Sequence, residues 1–364
     1  RVHLVMKITC CIDHLGPGGA QRQLCLLARS LKELKHELTV VTYHCNDHFK
    51  QELLQNEIEH IQLRADSYWE RFWSLRRVTR DKNADLVIAF LRTPSLLAEL
   101  ATVPAHPFKL IVSERNFYPN EFFLWRKFRL LCHLFADGLV TNSQRLKKKL
   151  ESEWPGLGKK VHHIPNGIDL SLFQPAKEEK VGKTKIVVLA KYHWQKVPQL
   201  LVEALALLEA DHPEIDYEVN WYGADYQSYV FHETKALVHR YGMAKNVHLL
   251  GPTAEVPQVL QGAHLFVLPS RYEGMANVVG EALASGCPVI MNSQANEGEL
   301  VVDGENGFLF DGAEPSELKG ALVRYFAASL EERQEMGQRG REKAALELSL
   351  ENFVRAYVEL IEKL

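Results

Sequence analysis

The amino-acid sequence predicts an α/β protein made of two units, each with a doubly wound parallel sheet. Short apolar runs alternate with longer amphipathic segments, which is typical of βαβ units. The alternation occurs in two series, separated by a stretch at 169–185 with the composition of an exposed linker. The length of 364 residues also favours about two domains. We predict a first unit at 1–175 and a second at 176–349, with a cleft at the carboxyl ends of their strands.

The apolar runs and amphipathic segments locate the individual elements. In the first series, strands are predicted at 7–12, 38–42, 86–90, 110–113, 139–141 and 161–164, with helices at 20–34 and 144–153. In the second, strands are predicted at 185–190, 217–222, 247–250, 265–268 and 288–291, with helices at 198–209 and 277–285. A last helix at about 350–364 can pack on either unit, including back on the first.

Composition excludes several classes of protein. Hydrophobic residues make up 46% of the chain and charged residues 24%, which excludes wholesale disorder, a collagen-like chain and a polytopic membrane protein. The six cysteines are scattered and none has the spacing of a zinc site, so we expect a reducing compartment. The sequence shows neither a signal peptide nor a run of 18 apolar residues. We therefore expect a cytoplasmic protein.

The charge is distributed unevenly. Residues 1–175 carry 25 Lys and Arg against 18 Asp and Glu, whereas the remainder carries 18 against 28. The basic half also has two stretches, at 67–82 and 116–135, in which aromatic residues alternate with Arg and Lys. Such stretches are typical of interfacial amphipathic helices, although a core-facing helix or a nucleic-acid site has similar composition. We expect peripheral binding to the cytoplasmic face of a membrane, and no nucleic acid.

One segment of the second series predicts an anion site. The strand at 265–268 is followed by a loop, and Asn277 can cap a helix that ends at Gly286. The loop at 273–276 would then present backbone N–H groups at a helix N-terminus, where anions bind readily. This arrangement suits a phosphate group.

Two glutamates flank that predicted anion site. Glu273 precedes it, and Glu281 lies one turn past Asn277 on the same side of the helix. Carboxylates on either side of a diphosphate can bind the hydroxyls of a ribose and of a transferred group. The alternative is a surface helix with two solvated glutamates.

Other positive charges follow predicted strands. Lys191 and Lys196 come after the strand at 185–190, where two cations suit a diphosphate whose charge grows as a bond breaks. They can also be solvated surface lysines. Arg115 follows the strand at 110–112, where it can offer a fixed charge to a phosphate or an acceptor, or form a salt bridge within the first unit.

A glycine-rich loop follows the first strand. Gly16, Gly18 and Gly19 precede the helix that starts near residue 20, and glycines permit positive φ and close backbone approach. The loop lacks the dinucleotide-binding GxGxxG pattern because position 21 is Gln. It is either a ligand-binding loop or simply a tight turn from strand to helix.

Taken together, these motifs resemble a known family. The spacing of Glu273 and Glu281 within EGMANVVGEALASGCPVI resembles that of the retaining glycosyltransferases of family 4. GPGGA at 16–20, PNGID at 165–169 and GELVVDGENG at 298–307 fall in the family's order. The resemblance covers nearly the whole chain and implies the GT-B fold, in which two Rossmann-like domains face each other.

The resemblance also implies roles for particular residues. Glu273 would contact the donor sugar, Glu281 would bind the ribose hydroxyls, and Lys191 and Lys196 would bind the diphosphate. Glu273 and the two lysines form the predicted catalytic set. The backbone that would meet the donor is that of Gly274, Met275, Ala276 and Asn277, together with Gly18 and Gly19.

Two positions depart from the family's usual pattern. Lys191 stands where an arginine is usual, which keeps the charge but loses the bidentate fork. Arg115 stands near the position of a usual histidine. Arg115 and Gly16 are predicted on the acceptor side.

The implied activity is that of a retaining hexosyltransferase. A nucleotide-sugar, with UDP the commonest nucleotide, would donate to a hydroxyl of a lipid-linked or lipopolysaccharide-type glycan. No metal or prosthetic group is expected, since the chain has no Asp-x-Asp pair of the kind that holds manganese in GT-A enzymes. Two alternatives are a GT-B nucleotide-sugar 2-epimerase and a non-catalytic nucleotide-binding scaffold subunit.

Overall fold

The computed structural model describes residues 5–115, 122–177, 182–225 and 227–364. The chain forms two compact units. The first comprises Arg1–Gly167 and Glu351–Leu364, and the second comprises Ile168–Leu350.

The chain enters the second unit earlier than the composition near residue 175 suggests. Ile168 and Phe173 are buried in the core of the second unit. Arg341 donates hydrogen bonds to the carbonyls of Phe173, at 2.5 Å, and Leu170, at 3.3 Å. Residues 168–175 belong to the second unit because these contacts, and not their local composition, decide where they pack.

The first unit contains a seven-stranded parallel sheet. Its strands are β1 (Lys7–Cys11), β2 (Glu37–Thr42), β3 (Glu59–Gln62), β4 (Leu86–Phe90), β5 (Lys109–Glu114), β6 (Gly138–Thr141) and β7 (Val161–His163). Its helices are α1 (Gly19–Glu33), α2 (Lys50–Gln55), α3 (Tyr68–Asp81), α4 (Arg92–Ala101), α5 (Phe123–Cys132) and α6 (Gln144–Glu153). The strand order is β3-β2-β1-β4-β5-β6-β7.

The second unit contains a six-stranded parallel sheet. Its strands are β8 (Thr184–Leu189), β9 (Tyr217–Tyr222), β10 (Val247–Leu250), β11 (Leu265–Leu268), β12 (Val289–Asn292) and β13 (Gly307–Phe310). Its helices are α7 (Pro198–Asp211), α8 (Tyr229–Arg240), α9 (Val256–Gly262), α10 (Asn277–Ala284), α11 (Pro315–Ala327) and α12 (Leu330–Leu348). The strand order is β10-β9-β8-β11-β12-β13.

The central strands are apolar along their whole length. Every residue of β4 and of β11 is buried. Parallel sheets are covered by helices on both faces, so their inner strands read as continuous apolar runs. This is why the apolar runs of the sequence locate these strands correctly.

Two strands at the edges of the sheets were not predicted from the sequence. β3 has the sequence EHIQ and β13 the sequence GFLF, and each pairs with one neighbour only. β3 is only partly buried, so it has no apolar run to mark it. β13 is apolar but short, and it begins at the last glycine of the 298–307 motif, which reads as a loop.

The last helix, α13 (Leu350–Ile361), packs on the first unit. Phe353, Tyr357 and Leu360 are buried on its inner face. The ring of Tyr357 stacks against Phe90 in β4, with 6.4 Å between ring centroids. Within the described ranges, no helix is both long enough and apolar enough to span a lipid bilayer.

Candidate functional site

The loop between β11 and α10 carries the predicted anion site. α10 begins at Asn277, but its N-cap is Ala276, which makes no side-chain cap hydrogen bond. The prediction that Asn277 caps the helix is therefore wrong by one position. The predicted stop is confirmed, since Gly286 follows the C-cap with a φ of +66°. An alanine N-cap offers no side-chain acceptor to the amides of the first turn, which favours an anion there.

Neither glutamate is solvated. The side chain of Glu273 is 11% exposed, and Glu281 is 3% exposed on the inner side of α10. Burying a carboxylate is costly unless other groups compensate its charge. The alternative of a surface helix with two solvated glutamates is therefore excluded.

Lys196 and Glu273 form an ion pair across 77 positions of sequence. Lys196 lies in the loop between β8 and α7, and its side chain is 21% exposed. Two hydrogen bonds join this loop to the one that carries Glu273. The Arg271 amide donates to the Gln195 carbonyl at 2.9 Å, and Gln195 Nε2 donates to the Tyr272 carbonyl at 2.7 Å. Sequence reasoning missed Gln195, which no motif marks.

A buried tyrosine in the Lys196 loop attaches the loop to the sheet. The Tyr192 hydroxyl lies 3.0 Å from the Trp221 carbonyl oxygen and 2.9 Å from that of Leu250. Burial raises the pKa of Tyr192 well above its ordinary value, so the group remains an O–H donor. Trp221 Nε1 also donates to the Ala190 carbonyl at 2.8 Å. These bonds attach the loop to the carboxyl ends of β9 and β10.

The remaining predicted donor residues lie along the same two loops. Lys191 is exposed at the start of the Lys196 loop, whereas Gly274, Ala276 and Asn277 are half-buried. Met275 is buried. A Cβ built at Gly298 would lie 3.1 Å from Met275 Cγ, so the first residue of the 298–307 motif packs against this loop.

In the first unit, Gly16 lies in a crowded turn. Its amide donates to His14 Nδ1 at 2.8 Å. A Cβ at this position would come within 2.5 Å of Asn46 Nδ2 and 2.8 Å of His14 Nδ1. A larger residue here would have to displace the side chains of Asn46 and His14.

Gly18 is the N-cap of α1, and Gly19 is the first residue of that helix. Gly18 has a φ of −134°, so the loop does not use positive φ at this position. A Cβ on Gly18 would lie 2.1 Å from Gln21 Oε1. Gln21 Nε2 in turn donates to Asp13 Oδ1 at 2.9 Å. Gln21, which breaks the GxGxxG pattern, thus contributes to the loop itself.

Arg115 is buried, and its contacts are neutral. Its Nη1 donates to Asn166 Oδ1 at 2.6 Å, and its Nε donates to Ser113 Oγ at 3.2 Å. The guanidinium lies 4.0 Å above the Phe90 ring centroid. Burial lowers the pKa of Arg115, and contact with Tyr357 opposes that shift. Among the described residues no carboxylate pairs with Arg115, which excludes a salt bridge between those residues and Arg115, one of the two alternatives left open by the sequence.

A buried ionic cluster immediately precedes Arg115, and sequence reasoning missed it. Arg129 Nη1 donates to Glu114 Oε1 at 2.8 Å, and His133 Nδ1 lies 2.5 Å from Glu99 Oε1. Burial by itself would lower the pKa of His133, but Glu99 and Glu114 outweigh it and raise the pKa to about 9. Burial would likewise raise the pKa of Glu114, but Arg129 and His133 hold it below its usual value.

No group of three or more His, Cys, Asp or Glu side chains in the described ranges is placed to hold a metal ion.

Two family models match consecutive parts of the chain. The model described as Glycosyltransferase Family 4 matches residues 17–172, and the one described as Glycosyl transferases group 1 matches residues 172–343.

Several known proteins and solved structures are similar to this chain over most of its length. Spore coat protein SA of Bacillus subtilis is 23% identical over 374 residues, which cover 95% of both chains. A Campylobacter jejuni α-1,4-N-acetyl-D-galactosaminyltransferase, whose name specifies an undecaprenol-diphosphate-linked substrate, is 26% identical over 84% of both chains. The structure of Anabaena HepE in complex with UDP matches with a TM-score of 0.86 and 20% identity, over 99% of this chain and 100% of that one. HepE has also been solved with UDP-glucose.

The two models together span residues 17–343, and the structural neighbours share the fold of both units. The chain therefore belongs to the group 1 glycosyltransferases and has the GT-B fold, with two Rossmann-like units.

Proposed function

We propose that this protein transfers a sugar from a UDP-sugar to a hydroxyl group of a lipid-linked or lipopolysaccharide-type glycan, with retention at the anomeric carbon. The observation that carries the proposal is the Lys196–Glu273 ion pair, which lies beside the N-terminus of α10. The UDP and UDP-glucose complexes of HepE and the undecaprenol-linked substrate of the Campylobacter relative support the choice of donor and acceptor. The donor would bind to the second unit and the acceptor to the first.

The described groups can divide the work of the transfer. Lys196, assisted by Lys191, would stabilise the charge that develops on the departing diphosphate. The amides of residues 274–276 and the positive end of α10 would add to this, so that no metal ion is needed. Glu273 would orient the sugar, and Glu281 would bind the ribose hydroxyls.

The transfer step needs no nucleophile from the protein. The acceptor oxygen would bond to the anomeric carbon on the face from which the diphosphate leaves, as the bond from that carbon to the phosphate oxygen breaks. The departing phosphate oxygen would take the proton of the acceptor hydroxyl. In the first unit, Gly16, Gly18, Gly19 and Arg115 would line the acceptor and diphosphate side.

Membrane binding would bring the protein to a lipid-linked acceptor. Helix α5 and the residue before it expose a row of large apolar side chains, including Phe122, Phe123 and Leu124, each more than 60% exposed. Arg126 and Lys127 lie on the same helix. Of the predicted stretch 116–135, residues 116–121 lie outside the described part of the chain. The predicted stretch 67–82 forms α3, whose Phe72 packs on the core while Trp69 and Trp73 remain exposed.

The donor assignment can be tested by thermal unfolding in EDTA with UDP, GDP, dTDP or ADP. A ligand that binds only the folded state raises the unfolding temperature, and the shift grows with the ligand concentration relative to its Kd. We expect a shift with UDP that survives EDTA and shrinks in the Glu281→Gln variant but not in Glu317→Gln, an exposed residue of α11. A UDP shift that disappears in EDTA would contradict metal-free binding, and no shift with any nucleotide would contradict the donor site.

Turnover separates the transferase from its alternatives. With a UDP-sugar and a lipid-linked acceptor, we expect a glycosylated product whose new linkage has the anomeric configuration of the donor. Conversion of the donor to an epimeric UDP-sugar without acceptor would indicate an epimerase. Nucleotide binding without any turnover would indicate a scaffold subunit.

Flotation with liposomes tests the membrane surface. We expect the protein to float with vesicles containing anionic lipid, and a Phe123→Ser/Leu124→Ser variant to remain in the dense fraction. Equal flotation of both proteins would contradict a role for α5.

A further inference from the structure

A groove with a volume of about 560 Å³ opens on the first unit, beside the helix α3 that the predicted stretch 67–82 forms. Helix α3 forms one wall, and the segment before β5 forms the other. The wall residues on the helix are Trp73, Arg76, Arg77, Thr79 and Arg80, and those opposite are Ala105, Pro107 and Phe108.

Four of these helix residues form a single stripe. Arg76, Arg77 and Arg80 follow Trp73 by three, four and seven positions, which places them on one face of an α-helix. The groove therefore has three guanidinium groups and an indole on the same wall. Trp73 is 53% exposed, whereas Phe108 opposite is buried.

The arginines are not neutralised within the described part of the chain. Asp81 lies 3.5 Å from Arg77 and 3.7 Å from Arg80, and it is the one carboxylate paired with the stripe. Arg76 donates to the carbonyl of Val103, which carries no net charge. The C-terminus of α3 adds about half a negative charge. Three guanidinium charges exceed these compensating charges, so the groove is positive.

The groove lies at the amino ends of the strands, whereas the predicted acceptor loops lie at the carboxyl ends. Ala84 and Phe108 line it and lie at the amino ends of β4 and β5, respectively. Gly18 follows β1 and Arg115 follows β5, so both lie at carboxyl ends. In a parallel sheet the amino and carboxyl ends of the strands lie on opposite sides, so the groove is separate from the predicted acceptor loops.

We propose that this groove binds an organic phosphate. The phosphate would lie against the arginine stripe, since guanidinium forks match phosphate oxygens in bidentate geometry. The carbon-bearing part of the ligand would pack on Trp73. The same chemistry occurs in a free phosphate ester and in the headgroup of a phospholipid. The proposal does not depend on the transfer reaction.

The test uses the full chain and the double variant Arg77→Ala/Arg80→Ala. Both side chains are more than three-quarters exposed, so their loss should leave the fold intact. The control Lys148→Ala/Lys159→Ala removes two exposed charges elsewhere on the same unit. One arm measures binding of glycerol 3-phosphate by calorimetry at fixed ionic strength. The other measures flotation with phosphatidylglycerol vesicles against phosphatidylcholine vesicles.

We expect the affinity of the double variant to fall about tenfold or more. The loss of even one hydrogen bond to a charged group is enough to lower the affinity by this factor. The control should bind as the wild type does. Loss in the calorimetric arm would identify a free phosphate ester as ligand, and loss confined to the vesicle arm would identify a phospholipid headgroup. The proposal is overturned if the wild type binds in neither arm, if the double variant binds as the wild type does, or if the control loses as much.

Discussion

At the scale of single residues, the structure joins side chains that are distant in sequence. Lys196 and Glu273 each occur in a motif, but only the fold brings them into contact. The pairing has a physical reason, because each compensates the cost of burying the other's charge. The ion pair also orients the lysine side chain, as the proposed contact with a diphosphate requires.

We expect Lys196→Ala to lower turnover by about 100-fold or more, since loss of one preorganised group that stabilises developing charge costs roughly 3 kcal/mol. Lys235→Ala, on the exposed face of α8, is the matched control and should be near wild type. Initial rates with saturating UDP-sugar would measure both. Wild-type turnover in Lys196→Ala would refute the role given to this lysine.

Gly223 supports the same site through close packing of the backbone. A Cβ at this position would lie 2.1 Å from the Ala190 carbonyl oxygen, just before the loop that carries Lys196. A backbone atom cannot rotate away, so we expect Gly223→Ala to lower the free energy of unfolding by about 1–3 kcal/mol. Gly251→Ala, where nothing lies within 4 Å, is the control. Equal urea midpoints for the two variants would contradict this explanation.

At the scale of elements, the buried cluster joins α4, β5 and α5 with the short turn after α5. Glu99 lies on α4, Glu114 on β5, Arg129 on α5, and His133 in the turn. All four are almost completely buried. The cluster therefore fixes the helix with the exposed aromatic face relative to the strand that leads to Arg115.

The raised pKa of His133 predicts a dependence of stability on pH. Because the folded state binds this proton more tightly than the unfolded state, the contribution is complete below about pH 6.5 and is lost as the pH rises through about 9. We expect His133→Gln to be less stable at pH 6, with the difference from wild type narrowing between pH 7 and 10. Urea unfolding at a series of pH values would measure it. A difference independent of pH would show that folding does not shift the pKa of His133.

At the scale of the whole molecule, the chain passes between the units twice. Gln23 holds Gly167 at the end of the first unit, with hydrogen bonds of 2.8 and 2.7 Å to its carbonyl and amide. Within the second unit, the Ile168 amide donates a hydrogen bond to the Leu348 carbonyl at 2.7 Å. The Leu350 amide donates one to the Ile168 carbonyl at 2.9 Å. The two crossing segments are thus paired where they meet, before α13 returns to the first unit.

Removal of residues 351–364 should weaken the first unit selectively. Phe353, Tyr357 and Leu360 would be lost from its core, and deletion of large buried side chains costs about 2–5 kcal/mol each. We expect faster amide hydrogen exchange in β4, β5 and β6, and unchanged exchange in β8 and β11. Equal acceleration in both sheets would contradict the assignment of α13 to the first unit.

Several features could not be read from local sequence. The cap of α10 lies one residue before Asn277, because cap position depends on backbone geometry as well as on residue type. Gln195, Tyr192 and Gly223 support the Lys196 loop through contacts that no spacing marks. The His133 cluster assembles from separate elements, so none of its members stands out alone.

The α/β class, the inner strands and the family could be predicted from local sequence, because buried parallel strands require continuous apolar runs and the motifs retain their order along the chain. Three features depend on the folded chain: Lys196 pairs with Glu273, neutral groups hold Arg115, and α13 completes the first unit. The physical reason is the same in each case. Burial and partnership of a charge or an apolar face depend on residues far away in the chain, and local pattern carries no information about them.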